Sequence, residues 1–347
     1  MPYSFMNDYS EGAHEKILEA LVKTNREQLA PYGTDLYSDR ARASIKEKIG
    51  LEDCEIHFLT GGTQTNLITI TAALKPFQGV LAAESGHIHV HEAGSIEAAG
   101  HKIMALPAPE GKITAEQVEE ACRLHYADGS IEHLCQPGLV YISHPTEYGT
   151  LYTKSELTAL RKVCDQYGLI LYCDGARLGS AIMAEGTDVS LKTMGELMDA
   201  FYIGGTKMGA LSGEALVLKH PRLREGFRYM MVQRGGMPAK GRLNGIQFDV
   251  LFTDGLYEEL GAYANRLAKK LREGIAALGY AFYMETVTNQ IFPLLPKRVV
   301  EALSDRFTLI YWGPYDEERD IMRMCTCWAT EEKMVDAFLA ALKEETK

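Results

Sequence analysis

The feature that most restricts how this chain folds is a series of short apolar runs, each ending in glycine or polar residues and set apart by helix-like stretches. Gly138-Leu139-Val140-Tyr141-Ile142-Ser143 is apolar at successive positions, so both faces of such a strand need cover, as in a buried parallel sheet. Thr153 and Glu156 then stand at the spacing of a capping box. Leu157, Leu160, Val163, Cys164 and Tyr167 follow at helical spacing, and Gly168 stops the helix before the strand Leu169-Ile170-Leu171-Tyr172-Cys173. Further strands are expected at 55–59, 200–203 and 214–218, and Thr114 with Gln117 opens another helix. Strands alternating with crossover helices imply an α/β fold built on a mainly parallel sheet.

Past about Gly245 the texture changes. A long helix over about 256–278 precedes short strands near 308–312 and 320–324. A last helix carries Met334, Val335, Phe338, Leu339 and Leu342 on one side. The expected organisation is a large domain, 1–245, with an N-terminal arm, and a smaller C-terminal α+β domain, 246–347. A chain of 347 residues suits two such units, and 46% hydrophobic residues supply their cores.

Bulk charge excludes several roles. With a formal charge of −11, the chain has no general attraction for nucleic acid or an anionic membrane. No apolar run approaches a membrane span, and Met1 to Ser10 lack the basic start and apolar centre of a signal peptide, so a cytoplasmic protein is expected. The seven cysteines include no C-x-x-C pair and read as reduced, packed thiols.

The chemistry gathers where strands end. The run at 58–59 leads into Thr60-Gly61-Gly62-Thr63-Gln64-Thr65-Asn66, and the run at 141–142 into Ser143-His144-Pro145-Thr146-Glu147. Tyr172-Cys173 leads into Asp174-Gly175-Ala176-Arg177, and Tyr202-Ile203 into Gly204-Gly205-Thr206-Lys207. Ligands of open α/β sheets bind beyond the carboxyl ends of strands. Glycines that open a helix bring backbone N–H groups close to an anion, although a Gly-Gly turn before a helix is as often only a turn. Asp174, at the end of an apolar strand, needs a cationic partner, either Arg177 or a protonated ring nitrogen. Lys207 reads as a solvated loop lysine or, given the acid one strand earlier, as a Schiff-base lysine. His87-x-His89-x-His91 in an extended segment would share one face as a metal site, while a single histidine could instead lie flat on a cofactor ring.

Taken together, these motifs resemble the threonine aldolase branch of the fold-type-I pyridoxal-phosphate (PLP) enzymes, over about residue 5 to the end. Thr60–Leu67 is similar to that family's phosphate-binding T-G-T-Q-A-N-L stretch, His87 with Glu92-Ala93-Gly94 to its ring-stacking histidine and E-A-G turn, and Asp174-Gly175-Ala176-Arg177 to its D-G-A-R. The resemblance implies an aspartate-aminotransferase-like fold and a PLP-dependent lyase that cleaves threonine or allo-threonine to glycine and acetaldehyde. A β-eliminating lyase or an aminotransferase is the alternative within the class, and a metal-dependent hydrolase using His87, His89, His91 and Asp174 the one outside it. It implies Lys207, His87 and Asp174 as catalytic residues. Gly61, Gly62, Thr63, Arg177 and Thr206 complete the cofactor set, and Arg177, Arg323, Asn7 and Tyr32 face the amino-acid substrate. Tyr32 would reach a neighbouring subunit's site, in a homodimer or homotetramer with shared sites, and Arg234 or Lys240 would add charge from the same or a partner subunit. His133 loosely matches a second histidine near the substrate hydroxyl. The sequence departs from the family at Asn7-Asp8, Glu147-Tyr148 and Thr206, positions that touch the substrate more than the cofactor.

Overall fold

The structure, a computed structural model, describes residues 2–345; Met1 and the last two positions of the 246–347 stretch lie outside it. Among the described residues, seven strands form one sheet in the order Glu55–Leu59, Glu214–Leu218, Ala200–Gly204, Ile170–Asp174, Gln136–Ser143, Gln78–Ala83, Ile103–Leu106. Only Glu214–Leu218 runs against its neighbours. The sheet is buried on both sides, as the unbroken apolar runs require. Val80, Ala82, Leu139, Tyr141, Ile170, Tyr172, Ala200 and Tyr202 pack on one face; Leu81, Val140, Ile142, Leu171, Cys173, Phe201 and Ile203 pack on the other.

The strands expected at 55–59 and 214–218 stand as read, and the run at 138–143 begins two residues earlier. Gln78–Ala83 and Ile103–Leu106 escaped the sequence reading, because Gly79, Ala82 and Ala83 carry little β preference and the last strand has only four residues. Both expected capping boxes form: Thr114 with Gln117, and Thr153 with Glu156.

A smaller antiparallel sheet pairs Arg319–Cys325 with Leu294–Pro296, Ile310–Pro314 and Gln290–Ile291. Its core also holds Phe5, and Tyr3–Ser4 pairs in parallel with Phe307–Thr308, so the N-terminus packs with the C-terminal layer. The helix Leu256–Ala277 joins the two cores: Leu256, Tyr257 and Leu260 belong to the large one, Leu267, Leu271 and Ile275 to the small one. No helix among the described residues is long and apolar enough to cross a membrane.

The Thr153 side chain accepts the Glu156 N–H at 3.1 Å, and the Glu156 carboxylate accepts the Thr153 N–H at 2.7 Å. Thr153→Ala is expected to lower the unfolding free energy by about 1 kcal/mol in denaturant titration.

Candidate active site

Six strands of the large sheet point one way, so their carboxyl ends open on one edge. There the sheet's own alternation builds the first part of the site. Tyr141, Tyr172 and Tyr202, on three adjacent strands, face the same side, where the helix Gly62–Ala73 lies. Tyr141 Oη donates to Asp174 Oδ2 at 2.7 Å, and Tyr202 Oη to Oδ1 at 2.5 Å. Asn66 Nδ2, from the helix, reaches Oδ2 at 3.0 Å, and the Ala176 N–H reaches Oδ1 at 3.0 Å. Tyr172 Oη holds the Asn66 carbonyl at 2.8 Å, which fixes the amide orientation. Burial works against ionisation of Asp174, but the His87 charge and these hydrogen bonds outweigh it and hold the carboxyl below its ordinary range.

Arg177 is not the partner of Asp174. Its guanidinium forks onto Asp8, with Nε to Oδ2 at 2.7 Å and Nη2 to Oδ1 at 3.1 Å, and Asn289 adds a third contact to Asp8 at 2.8 Å. Burial alone would raise the Asp8 carboxyl; Arg177, Lys207 and the hydrogen bonds hold it below the usual carboxylate range.

Lys207 follows the strand Ala200–Gly204 and is half-buried in the same hollow. Among the described residues its Nζ makes no hydrogen bond or ion pair, and it lies 5.8 Å from the Tyr9 ring centre. Burial, then the neighbouring Arg177 charge, lower its pKa against the pull of Asp8, Asp174 and Glu214. Gly61 begins the helix Gly62–Ala73 with no side-chain cap, which leaves the first-turn N–H groups facing the hollow. A side chain at position 62 would meet Tyr202 Oη at 2.8 Å, so only glycine keeps this approach open. Thr206 lines the hollow, but its hydroxyl donates to Glu214 at 2.9 Å and its N–H to the Gly213 carbonyl. It therefore has no donor left for an anion, contrary to its expected role. Glu214, the first residue of the one reversed strand, reaches this edge by its amino end, which a search of strand carboxyl ends passes over. Burial pushes it up to about 8.

The histidine cluster is not extended. His87–Val90 is a single helical turn, in which positions two apart diverge. His87 lines the hollow and pairs through Nδ1 with buried Glu92 at 2.7 Å, while His89 is exposed. Burial would depress His87; Glu92 and Asp174 prevail and raise its pKa. The three-histidine metal set is thus not assembled. The candidate ligands that lie within 4.8 Å of one another are His87, Glu92 and Asp174, already joined through Asn66.

A second hollow, about 550 Å³, continues outward from the first, about 260 Å³; Tyr9, His87, Glu147, Arg177 and Lys207 line both. Arg323, from the strand Arg319–Cys325, closes the outer one, with its guanidinium 5.0 Å over Trp312 and its Nε without a partner. Asn7 turns inward on its own loop, accepting from the Tyr9 N–H and the Ser10 hydroxyl. Tyr32 stands apart from both hollows, beside Gly33 and Arg42. His133 is exposed in a turn ahead of Gln136–Ser143, at the far end of that strand.

Sheet order and gathered side chains define the fold-type-I class of PLP enzymes. Within it the chain belongs to the beta-eliminating lyase family, whose model matches residues 8–296. It is 28% identical over 342 residues to a low specificity L-threonine aldolase of a Pseudomonas species, covering 98% of this chain and 96% of that one. A yeast counterpart from Saccharomyces cerevisiae is 28% identical over 269 residues, 76% of this chain and 66% of the relative. A solved Leishmania major threonine aldolase superposes with a TM-score of 0.97 at 43% identity, over the whole of both chains. A Thermus thermophilus aspartate aminotransferase, at 15% identity and a TM-score of 0.70 over 99% of this chain and 91% of that one, shares the fold.

The residues present fit the cofactor of that class. Asp174 is a buried anion with no ion pair among the described residues, Lys207 is an unpartnered amine of lowered pKa, and Gly62 leaves a backbone cradle.

Removing Asp8 would strand the buried Arg177 charge. Asp8→Ala is expected to destabilise the fold by about 3–5 kcal/mol at neutral pH. A lowered folded pKa makes this contribution full above the unfolded value, ~4, and lost as pH falls through the folded one. Unfolding curves of variant and parent must therefore converge in acid.

Proposed function

We propose that this protein is a PLP-dependent aldolase that splits threonine or allo-threonine into glycine and acetaldehyde in the cytoplasm. The observation that carries the reading is an unpartnered lysine beside the buried Asp174 anion in the inner hollow, with Arg323, unpaired with any acid among the described residues, in the outer one. When bound, PLP supplies an aldehyde carbon for amines and a ring that takes up the electron pair released at Cα. Lys207, its pKa lowered, provides the uncharged amine that attacks a carbonyl. Asp174 keeps a proton on the ring nitrogen, since an anion held in place by neutral donors favours a cation beside it. The N–H groups of Gly61, Gly62 and Thr63 receive the phosphate at the helix start, and His87, steadied by Glu92, walls the ring. Arg323 takes the substrate carboxylate, because Arg177 is held by Asp8 and acts beside it as a fixed charge.

The likeness to threonine aldolases along nearly the whole chain favours Cα–Cβ cleavage over β-elimination or transamination. Tyr32 and Lys240 support a homodimer or homotetramer with shared sites. The Tyr32 N–H donates to Ala239 and Gly241 packs on Gly33, so the two stretches form one surface away from this chain's own hollows.

Purified protein given PLP is expected to show a visible absorbance that borohydride fixes to the chain, and Lys207→Ala to lose both the attachment and acetaldehyde release. Pyruvate and ammonia in place of acetaldehyde would sink the aldolase reading. Arg323→Ala is expected to raise KM for threonine on the order of 100-fold, about 3 kcal/mol, since a charge-assisted contact is removed. Steady-state kinetics check this.

A further inference from the structure

Cleavage of a β-hydroxy amino acid needs a group that removes the hydroxyl proton. His133 is at the wrong end of its strand, and the His87 ring is tied through Nδ1 into the Glu92–Asn66–Asp174 cluster of the inner hollow.

Glu147 has a different setting. It is half-buried at the junction and lines both hollows, on the loop that leaves the strand Gln136–Ser143. Oε1 accepts the His87 backbone N–H at 2.8 Å and the Ser143 hydroxyl at 2.7 Å. These two donors fix the carboxylate plane. Oε2 has no hydrogen-bond partner from another residue among those described, and it is not among the unpartnered polar atoms sealed from solvent. One oxygen is an anchor and the other is open, beside the outer hollow that Lys207 and Arg323 also line.

Resting on the aldolase reading above, we propose that Glu147 is a catalytic residue: its Oε2 accepts the β-hydroxyl proton as the Cα–Cβ bond breaks. The O–H bond breaks and its proton moves to Oε2, while the electron pair left on oxygen becomes the second bond of the departing aldehyde's carbonyl. The Cα–Cβ pair stays with the glycine fragment, and one proton delivered to Cα completes glycine. Atoms and electrons balance with no oxidant and no second substrate. Burial raises the Glu147 carboxyl above its ordinary range, and Asp174 adds to this against the Ser143 hydrogen bond. A carboxylate so placed is a stronger base at neutral pH than an exposed one.

Glu147→Gln separates this role from that of a brace, since the amide oxygen still accepts from His87 and Ser143 but cannot take a proton. With the PLP-loaded enzyme, kcat for threonine and allo-threonine is expected to fall about 100-fold or more. KM, and the change in cofactor absorbance on adding glycine, are expected to stay near the parent's. Glu147→Ala is expected to regain rate with added formate, a small carboxylate that can enter the vacated space. A Glu147→Gln enzyme as fast as a parent that does release acetaldehyde overturns this assignment alone. A parent that releases no aldehyde from either substrate overturns the aldolase reading and this role with it.

Discussion

The arrangement depends on one buried anion that is solvated by the protein rather than paired with a cation. Taking a carboxylate out of water costs several kcal/mol, and a neutral, protonated acid would be the default. Here Tyr141, Tyr202, Asn66 and the Ala176 N–H each donate to Asp174, two to each oxygen. Those donors come from two neighbouring strands, the loop beyond Asp174 and the helix Gly62–Ala73. The requirement to satisfy one side chain thus aligns the carboxyl ends of the central strands and docks the helix over them. A compact anion facing a hollow is left with its field directed at whatever ring enters.

Charge balance around the hollow follows from this. Asp174, Glu147 and Glu214 meet His87, Lys207 and Arg177; burial prevails at Glu147 and Glu214, which move up, and at Lys207, which moves down, while neighbouring charges and hydrogen bonds prevail over burial at Asp174, which moves down, and at His87, which moves up. Groups shifted in this way by burial and by specific charged neighbours cluster where a protein does chemistry. The two arginines divide by their partners. Arg177 is locked by Asp8, itself held by Asn289, which brings the N-terminal segment over the hollow, and Arg323 hydrogen-bonds that segment through the Met6 carbonyl at 3.3 Å. A fixed charge and an available one can then act on the same carboxylate without competing.

The sequence was most legible where local rules operate. Capping boxes at Thr114 and Thr153, the glycine stop at Gly168 and the apolar strand at 138–143 are short-range features, and each stands in the structure. Reading failed where a neighbour far along the chain decides. His87-x-His89-x-His91 alternates like a strand, yet it forms one helical turn because Glu92 and Glu147 hold His87 from either side. Arg177 has an acid three residues away, but pairs with Asp8, 169 residues distant, because Asp174 is already satisfied by neutral donors.

By itself the sequence determined the class of fold, the edge on which the chemistry lies, and the lysine, acid and glycine turn that occupy it. These follow from burial on both faces of parallel strands and from the rule that such strands present ligands at their carboxyl ends. Tertiary structure alone decided which donors solvate Asp174, that Thr206 serves Glu214 instead of an anion, and that Glu147 stands open between the two hollows. Hydrogen-bond partners depend on distance and direction between side chains remote in sequence, and no local pattern of residue types contains that information.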